Sequence, residues 1–210
     1  MSPVDYPAHP RRSETRSERA VETLRVFVAV FPPPSVIESL TGLRRQLEAS
    51  VPGFRWVREN NLHFTLRFFG DITRKEAERA GAVLDEVAAW TEPFHVELSG
   101  LGVFPSWKRP RVLWVGCEKG GAVLQALARS LERGFRDARL GKTDKPFVPH
   151  LTVGRWRDSR SLDLGRAQST CEEVAEVDSF TVTEVCVVQS HLGPKGSTYV
   201  KLHTALLGRS

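Results

Sequence analysis

LHFTLRF, residues 62–68, is an apolar run of strand length that carries His63 and Thr65 two positions apart. In a β-strand, alternate side chains face the same side. His63 and Thr65 therefore share one face, and Phe64 and Leu66 share the other. The segment predicts a strand that turns an apolar face toward a core and a polar pair toward a different surface.

A second stretch, PHLTVGR at residues 149–155, alternates in the same sense. His150 and Thr152 share one face, and Leu151 and Val153 share the other. Residue frequencies give about 0.4 His-x-Thr matches by chance in a chain of this length, so two matches favour a functional interpretation without proving it. For either motif alone, the alternative is a half-buried strand whose histidine and threonine are solvated or locally hydrogen-bonded.

Strand-like and helix-like patterns alternate along the rest of the chain. The β-branched and aromatic run LRVFVAVF predicts a strand at residues 24–31, and Thr73 with Glu76 forms a capping-box pattern that predicts the start of a helix. Apolar stripes at helical spacing predict two more helices along residues 35–47 and 123–135. Further strands are predicted at residues 94–104, 111–117, 147–156, 177–190 and 198–207. This order predicts an α+β fold with mainly antiparallel sheets and two halves, each containing one His-x-Thr strand.

The two ends of the pattern are less regular. Residues 1–23 are rich in Arg, Glu, Ser and Pro and have little apolar content, so they cannot bury enough surface to offset their ordering entropy. We interpret them as a disordered tail before a single bilobal domain at residues 24–210, with a helix starting near Ser13 as the alternative. Residues 158–176 show no clear pattern.

The composition is that of an ordinary globular protein, with 40% hydrophobic and 26% charged residues. No run approaches the roughly 18 apolar residues of a membrane span, and the N-terminus lacks the apolar segment of a signal peptide. We therefore expect a cytoplasmic location. The three cysteines have no C-x-x-C spacing, so neither a disulfide framework nor a structural zinc site is predicted. The formal net charge of +5 modestly favours a polyanionic partner.

Two histidines and two threonines form a suitable set for chemistry at phosphorus. Histidine titrates near neutral pH, so one imidazole can accept a proton while a second, protonated imidazole donates one. Two such groups on opposite sides of a phosphorus suit in-line displacement, and threonine hydroxyls can donate hydrogen bonds to phosphate oxygens. The sequence therefore predicts acid–base catalysis that needs no metal or other cofactor.

The sequence resembles the two-histidine phosphoesterase superfamily, and within it the RNA 2′,3′-cyclic phosphodiesterases, also called LigT-like proteins or 2′-5′ RNA ligases. The resemblance covers about residues 24–207 and rests on five separated segments in the family's order. These are LRVFVAVFPP, LHFTLRFFGDI, GVFPSWKRPRVLWVG, KPFVPHLTVGR and VVQSHLGPKGSTYVKL. Arg67 stands where lysine is more usual in the family.

The resemblance implies two pseudo-symmetric lobes, each an antiparallel sheet with helices on its outer face, and a central cleft between them. It implies that His63 is the general acid, that His150 is the general base, and that Thr65 and Thr152 hold the phosphate. Arg155 matches the family's arginine just after the second motif and would add positive charge there. The expected reaction opens the 2′,3′-cyclic phosphate end of an RNA and leaves a 2′-phosphate.

Other residues are candidates for contact with the RNA. Tyr199 and Trp156 can stack a terminal base, with packing as the alternative role of each. The basic, aromatic stretch at residues 107–111 is either a rim that grips RNA or a solvated hairpin loop. We expect a monomer that has RNA as its partner, binds no metal and does not associate with a membrane.

Three alternatives stay open at this point. The first is a non-catalytic binder of phosphorylated RNA ends, and the second is a 2′-5′ RNA ligase or phosphodiesterase acting on tRNA fragments. The third is a metal-dependent hydrolase with His63 and His150 as ligands, which no nearby carboxylate at His-x-x-Glu spacing supports. Gly-Lys-Thr at residues 141–143 lacks the upstream glycine of a phosphate-binding loop, so ATP-dependent ligation is not predicted.

Overall fold

The strands and helices follow one another in the α+β order that the sequence predicts. The computed structural model describes residues 22–50, 54–143, 146–156, 164–174, 176–194 and 196–208. Its elements are β1 (Thr23–Val30), α1 (Pro34–Ser50), β2 (Phe54–Trp56), β3 (Phe64–Thr73), α2 (Arg74–Ala89), β4 (Phe94–Phe104), β5 (Val112–Cys117), α3 (Gly121–Asp137), β6 (Leu151–Trp156), α4 (Leu164–Glu172), β7 (Glu176–Val182), β8 (Glu184–Gly193) and β9 (Gly196–Leu206).

Most elements form where local sequence signals place them. The capping box at the start of α2 is confirmed: the Thr73 hydroxyl accepts a hydrogen bond from the Glu76 backbone amide, and the Glu76 carboxylate accepts one from the Thr73 amide. Strand β4 has the predicted bounds, residues 94–104. The predicted helix along residues 123–135 is confirmed as α3, whose apolar stripe is buried.

Three elements differ from the predictions. The strand predicted at residues 177–190 is two strands, because the chain breaks at Thr183 between β7 and β8. Strand β2 has only three residues and is held by its pairing with β6, so it has no detectable pattern of its own. Helix α4 lies in the stretch without a clear pattern, and Ala167 and Cys171, which are one helical turn apart, are buried on it.

The strands form one antiparallel sheet in the order β7-β4-β5-β6-β3-β1-β8-β9, with β2 added to β6. This sheet has two halves. Strands β6 and β3 join them, and their recorded pairing is Phe64 opposite Leu151. The predicted two lobes of antiparallel strands are thus confirmed. The prediction of a separate sheet in each lobe is corrected, because the lobes share one continuous sheet.

The helices cover the outer face of each half. Helices α1 and α4 pack against β7 and β4, while α2 packs against β1, β3, β8 and β9 with α3 beside it. The main apolar core fills the space between these helices and the sheet. The α-helices of the described residues thus lie on the outer face, and the opposite face of the sheet carries the two His-x-Thr motifs.

The predicted tail at residues 1–23 falls largely outside the described residues, which begin at Glu22, and Thr23 is the first residue of β1. Within the described part of the chain, no helix has both the length and the apolar character needed to cross a membrane.

Candidate active site

The two His-x-Thr motifs meet at the junction of the two halves. Phe64 lies opposite Leu151 in the antiparallel pair of β3 and β6, and both side chains are fully buried in the core. Because side chains alternate along a strand, Thr65 and Thr152 face the other side of the sheet. His63 and His150 directly precede β3 and β6, so they lie just outside the strands that were predicted to contain them. All four side chains line one cleft of about 500 Å³.

Both imidazoles are oriented by the same kind of hydrogen bond. Nδ1 of His63 lies 2.6 Å from the carbonyl oxygen of Asn61, and Nδ1 of His150 lies 2.7 Å from the carbonyl oxygen of Val148. A carbonyl oxygen only accepts, so each Nδ1 carries a hydrogen and donates it. Nε2 is therefore the nitrogen of each ring that is left to exchange a proton with a ligand.

Aromatic side chains surround His63. Its ring centroid lies 4.9 Å from that of Phe27, 5.7 Å from that of Phe31 and 5.3 Å from that of Tyr199, which meets it edge-on. The pKa of His63 is lowered to about 4, mainly because burial disfavours the charged ring; the Asn61 hydrogen bond opposes this, and the neighbouring charges of His150 and Arg155 add to it.

His150 has a similar environment on the other half of the sheet. Phe104 meets its ring edge-on at 5.0 Å, and Trp114 lies at 6.4 Å. Burial lowers the pKa of His150, the hydrogen bond to Val148 raises it, and the Arg155 charge lowers it. Both imidazoles are therefore mostly neutral at pH 7 in the unliganded cleft, and an anion bound between them would raise both pKa values.

Arg155 and Tyr199 line the same cleft as the histidines and threonines. Arg155 is exposed on β6, where it lies opposite Val112 of β5 on one side and Arg55 of β2 on the other. Tyr199 on β9 is half-buried, meets Phe27 edge-on at 4.9 Å, and has a pKa raised by burial. The four motif residues, Arg155 and Tyr199 thus lie around one opening.

The cleft also contains residues that the sequence patterns did not single out. Three of them are arginines, Arg25, Arg55 and Arg58, and the lining has no Asp or Glu among the described residues. Arg55 comes from the short strand β2, which has no pattern of its own, and Arg25 lies in a strand selected only for its apolar content. The excess of positive charge suits an anionic ligand.

Two other candidates lie elsewhere. Residues 107–111 connect β4 and β5, and none of them belongs to the described lining of the cleft. Trp156 is buried in the core, with 7% of its surface exposed, so it takes the packing role that was its alternative.

Known proteins share this architecture over nearly the whole chain. The RNA 2′,3′-cyclic phosphodiesterase of Aquifex aeolicus is 33% identical over 192 residues, which cover 90% of this chain and 100% of that protein. The one from Archaeoglobus fulgidus is 35% identical over 182 residues, with 85% and 98% covered. The crystal structure of the protein TT0787 of Thermus thermophilus matches with a TM-score of 0.74 and 28% identity, covering 88% of this chain and 98% of that one.

The sequence model of the LigT-like phosphoesterases matches twice, at residues 30–114 and 115–199. The first match contains His63 and Thr65, and the second contains His150 and Thr152. The two matches agree with the pseudo-symmetry of the cleft. This chain belongs to the LigT-like phosphoesterase family.

Proposed function

We propose that the protein hydrolyses the 2′,3′-cyclic phosphate end of an RNA to a 2′-phosphomonoester by acid–base catalysis without a metal. The observation that carries this proposal is the junction of β3 and β6, around which two His-Thr pairs line one positively charged cleft. The relatives from Aquifex aeolicus and Archaeoglobus fulgidus, both RNA 2′,3′-cyclic phosphodiesterases, support the same reaction.

The proposed reaction is one in-line displacement. Neutral His150 takes a proton from a water molecule through Nε2, and the water oxygen forms a bond to phosphorus. The bond from phosphorus to the ribose 3′ oxygen breaks, and protonated His63 gives its proton to that oxygen. The products are a 3′ hydroxyl and a 2′-phosphate, and opening the strained ring assists the step.

The remaining cleft residues have supporting roles in this scheme. The hydroxyls of Thr65 and Thr152 donate hydrogen bonds to the phosphate oxygens that do not leave, where negative charge increases in the transition state. The Arg155 guanidinium adds positive charge beside them. Tyr199 packs edge-on against His63 and supports the position of its ring.

The low pKa of His63 fits a role as the acid once substrate is bound. In the empty cleft His63 is neutral at pH 7, because burial brings its pKa to about 4. The negative charge of the phosphate raises this pKa, so the group takes up a proton as the substrate binds. The protonated ring can then transfer this proton to the leaving oxygen.

The site is complete within one chain, since each half of the sheet supplies one motif. This supports a monomer as the active form. Light scattering combined with size-exclusion chromatography would test it. The three cysteines are free thiols, which fits the reducing conditions of the cytoplasm.

Product analysis tests the proposed reaction most clearly. A short RNA with a 2′,3′-cyclic phosphate end is incubated with the protein in the presence of EDTA, and the products are separated by chromatography. The proposal expects an RNA with a 2′-phosphate and a 3′ hydroxyl. Binding without a product would favour the non-catalytic RNA-end binder. A product with a 3′-phosphate would mean that the 2′ oxygen leaves instead of the 3′ oxygen. Loss of turnover in EDTA would favour a metal-dependent hydrolase.

A further inference from the structure

A second cavity opens beside the cleft. Its volume is about 470 Å³, close to that of the cleft itself, and four residues line both spaces: Arg58, Asn61, Ser197 and Tyr199. Neither histidine and neither threonine of the two motifs belongs to its described lining. The second cavity therefore continues the active site into a space that the acid–base chemistry does not use.

Asn61 separates the two spaces. Its carbonyl oxygen accepts the hydrogen bond from Nδ1 of His63 at 2.6 Å, and its side-chain amide donates a hydrogen bond of 2.8 Å to the carbonyl oxygen of Ser197 on β9. Leu62, between Asn61 and His63, is extended, so these two residues are roughly 7 Å apart along the chain. This separation is on the scale of one nucleotide unit, so the second cavity adjoins the proposed general acid at the distance of the next nucleotide.

The lining of the second cavity carries groups that suit a phosphodiester. Arg44 on α1 and Arg58 supply positive charge, while Asn60, Ser197 and Thr198 supply an amide and two hydroxyls. Guanidinium, amide and hydroxyl groups are the side-chain donors that commonly contact the phosphates and sugars of nucleic acids. The chemistry of this lining therefore favours a sugar–phosphate backbone over an apolar ligand.

Arg44 lines the second cavity but not the cleft. Its Nε donates a hydrogen bond of 2.8 Å to Oε1 of Glu48, and its guanidinium carbon lies 5.8 Å from the ring centroid of Trp56. The ion pair with Glu48 is exposed to solvent, so it holds Arg44 weakly, and both Nη groups keep their N–H donors. Glu59 also lines the cavity, with its Oε1 3.2 Å from the Thr41 hydroxyl. Two arginines against this carboxylate leave the cavity with an excess of positive charge.

We propose that the second cavity binds the phosphodiester group that joins the terminal nucleotide of the RNA to its 5′ neighbour, with Arg44 as the main contact. This inference rests on the proposed function, because the cyclic phosphate must first lie between His63 and His150. The cyclic phosphate occupies the 2′ and 3′ oxygens of the last ribose, so the RNA chain continues through the 5′ oxygen of that ribose. The next anionic group on this path is the phosphodiester. The protein should therefore bind the ends of oligonucleotides more tightly than mononucleotides.

Ligand binding tests this site independently of turnover. The first probe is a 3′-5′-linked diadenosine dinucleotide that ends in a 2′-phosphate, and the second is the same molecule with an uncharged methylphosphonate linkage between its two nucleosides. Their dissociation constants are measured by calorimetry for the wild type, Arg44→Gln and Arg45→Gln. Arg45 is the matched control, because it is the next residue on α1, is exposed, and belongs to the described lining of neither cavity.

The ratio of the two dissociation constants gives the result. We expect the wild type to bind the charged linkage about tenfold more tightly than the uncharged one, the typical effect of one hydrogen bond to a charged group. Arg44→Gln should remove most of this preference, and Arg45→Gln should leave it at the wild-type value. A wild type without the preference, or an equal preference in the wild type and Arg44→Gln, would overturn the site. Absence of product from a cyclic-phosphate RNA would instead overturn the proposed function, and the binding ratio would still decide whether the cavity holds the phosphodiester.

Discussion

Phe64 and Leu151 lie directly opposite each other where β3 meets β6, and neither side chain is exposed to solvent. Each is the apolar centre of a His-x-Thr motif. Burying this pair in the core therefore turns both polar pairs to the same cleft. The two motifs are 87 positions apart in the chain, but the register of the β3–β6 pair brings them together.

The threonine hydroxyls can be removed without changing side-chain shape. Thr65→Val and Thr152→Val should each lower kcat on a 2′,3′-cyclic nucleotide by about 100-fold or more, because each removes one donor to a phosphate oxygen whose charge increases in the transition state. KM should change less than kcat. Steady-state kinetics of both variants would check this, and a large rise in KM with unchanged kcat would mean that the hydroxyls act only in ground-state binding.

The pH dependence follows from the two histidines. The acid must be protonated and the base neutral, so kcat/KM falls when pH rises through the pKa of the acid and when pH falls through that of the base. Burial lowers the pKa of both imidazoles, that of His63 to about 4. The maximum of kcat/KM should therefore lie below pH 6.5. The maximum of kcat should lie at higher pH, because bound phosphate raises the pKa values of both histidines. A kcat/KM maximum above pH 7 would contradict this.

The positive charge of Arg155 lowers the pKa of both His63 and His150. Arg155→Gln should move the maximum of kcat/KM toward higher pH and raise KM about tenfold, the typical effect of losing one hydrogen bond to a charged group. Arg155→Lys keeps the charge and should keep the pH maximum. Arg129→Gln, an exposed change on α3, is the control for net charge. The same pH maximum in Arg155→Gln and the wild type would refute this effect of the charge.

The sequence was sufficient to predict most of the fold and the centre of the site. Period-two alternation marks His63 and Thr65, and the capping box marks α2, because these signals are local and each element satisfies its own pattern. The pairing of β3 with β6 is not local. The sequence indicates that the two motifs meet only through the family resemblance, and the structure places them together.

The rest of the cleft depends on features that no local pattern contains. Phe68 lines the cleft only because Leu66 is an extra residue, a β-bulge, in the pairing of β3 with β1, whereas simple alternation from Phe64 would place Phe68 in the core. Arg55 enters through a three-residue strand that exists by pairing with β6. Residues 107–111 are a candidate RNA-binding rim only because of their charge and aromatic content. These properties do not indicate on which surface of the fold a hairpin loop lies.

The same bulge creates a buried ion pair. Arg67 is 9% exposed, and its Nη1 lies 3.0 Å from Oε2 of Glu132 on α3, whose Oε1 accepts a hydrogen bond from the Thr143 amide. Arg67→Met should lower the free energy of unfolding by about 3 kcal/mol, because it leaves a largely buried carboxylate without its partner. The double variant Arg67→Met/Glu132→Leu should be more stable than Arg67→Met. Urea unfolding measures both, and a double variant at least as unstable as Arg67→Met would show that the pair is not coupled in this way.

The central claim is that His63 and His150 act as one acid–base pair across one phosphate. The most direct measurement is kcat on a 2′,3′-cyclic nucleotide in EDTA for the wild type, His63→Ala, His150→Ala and the double variant, with the exposed His95→Ala as control. We predict that the wild type and the control turn over equally, and that each single variant loses a factor of about 100 to 10,000. The double variant should lose little more than either single one, because the two groups work as a unit. Turnover near the wild-type rate in either single variant would contradict the account.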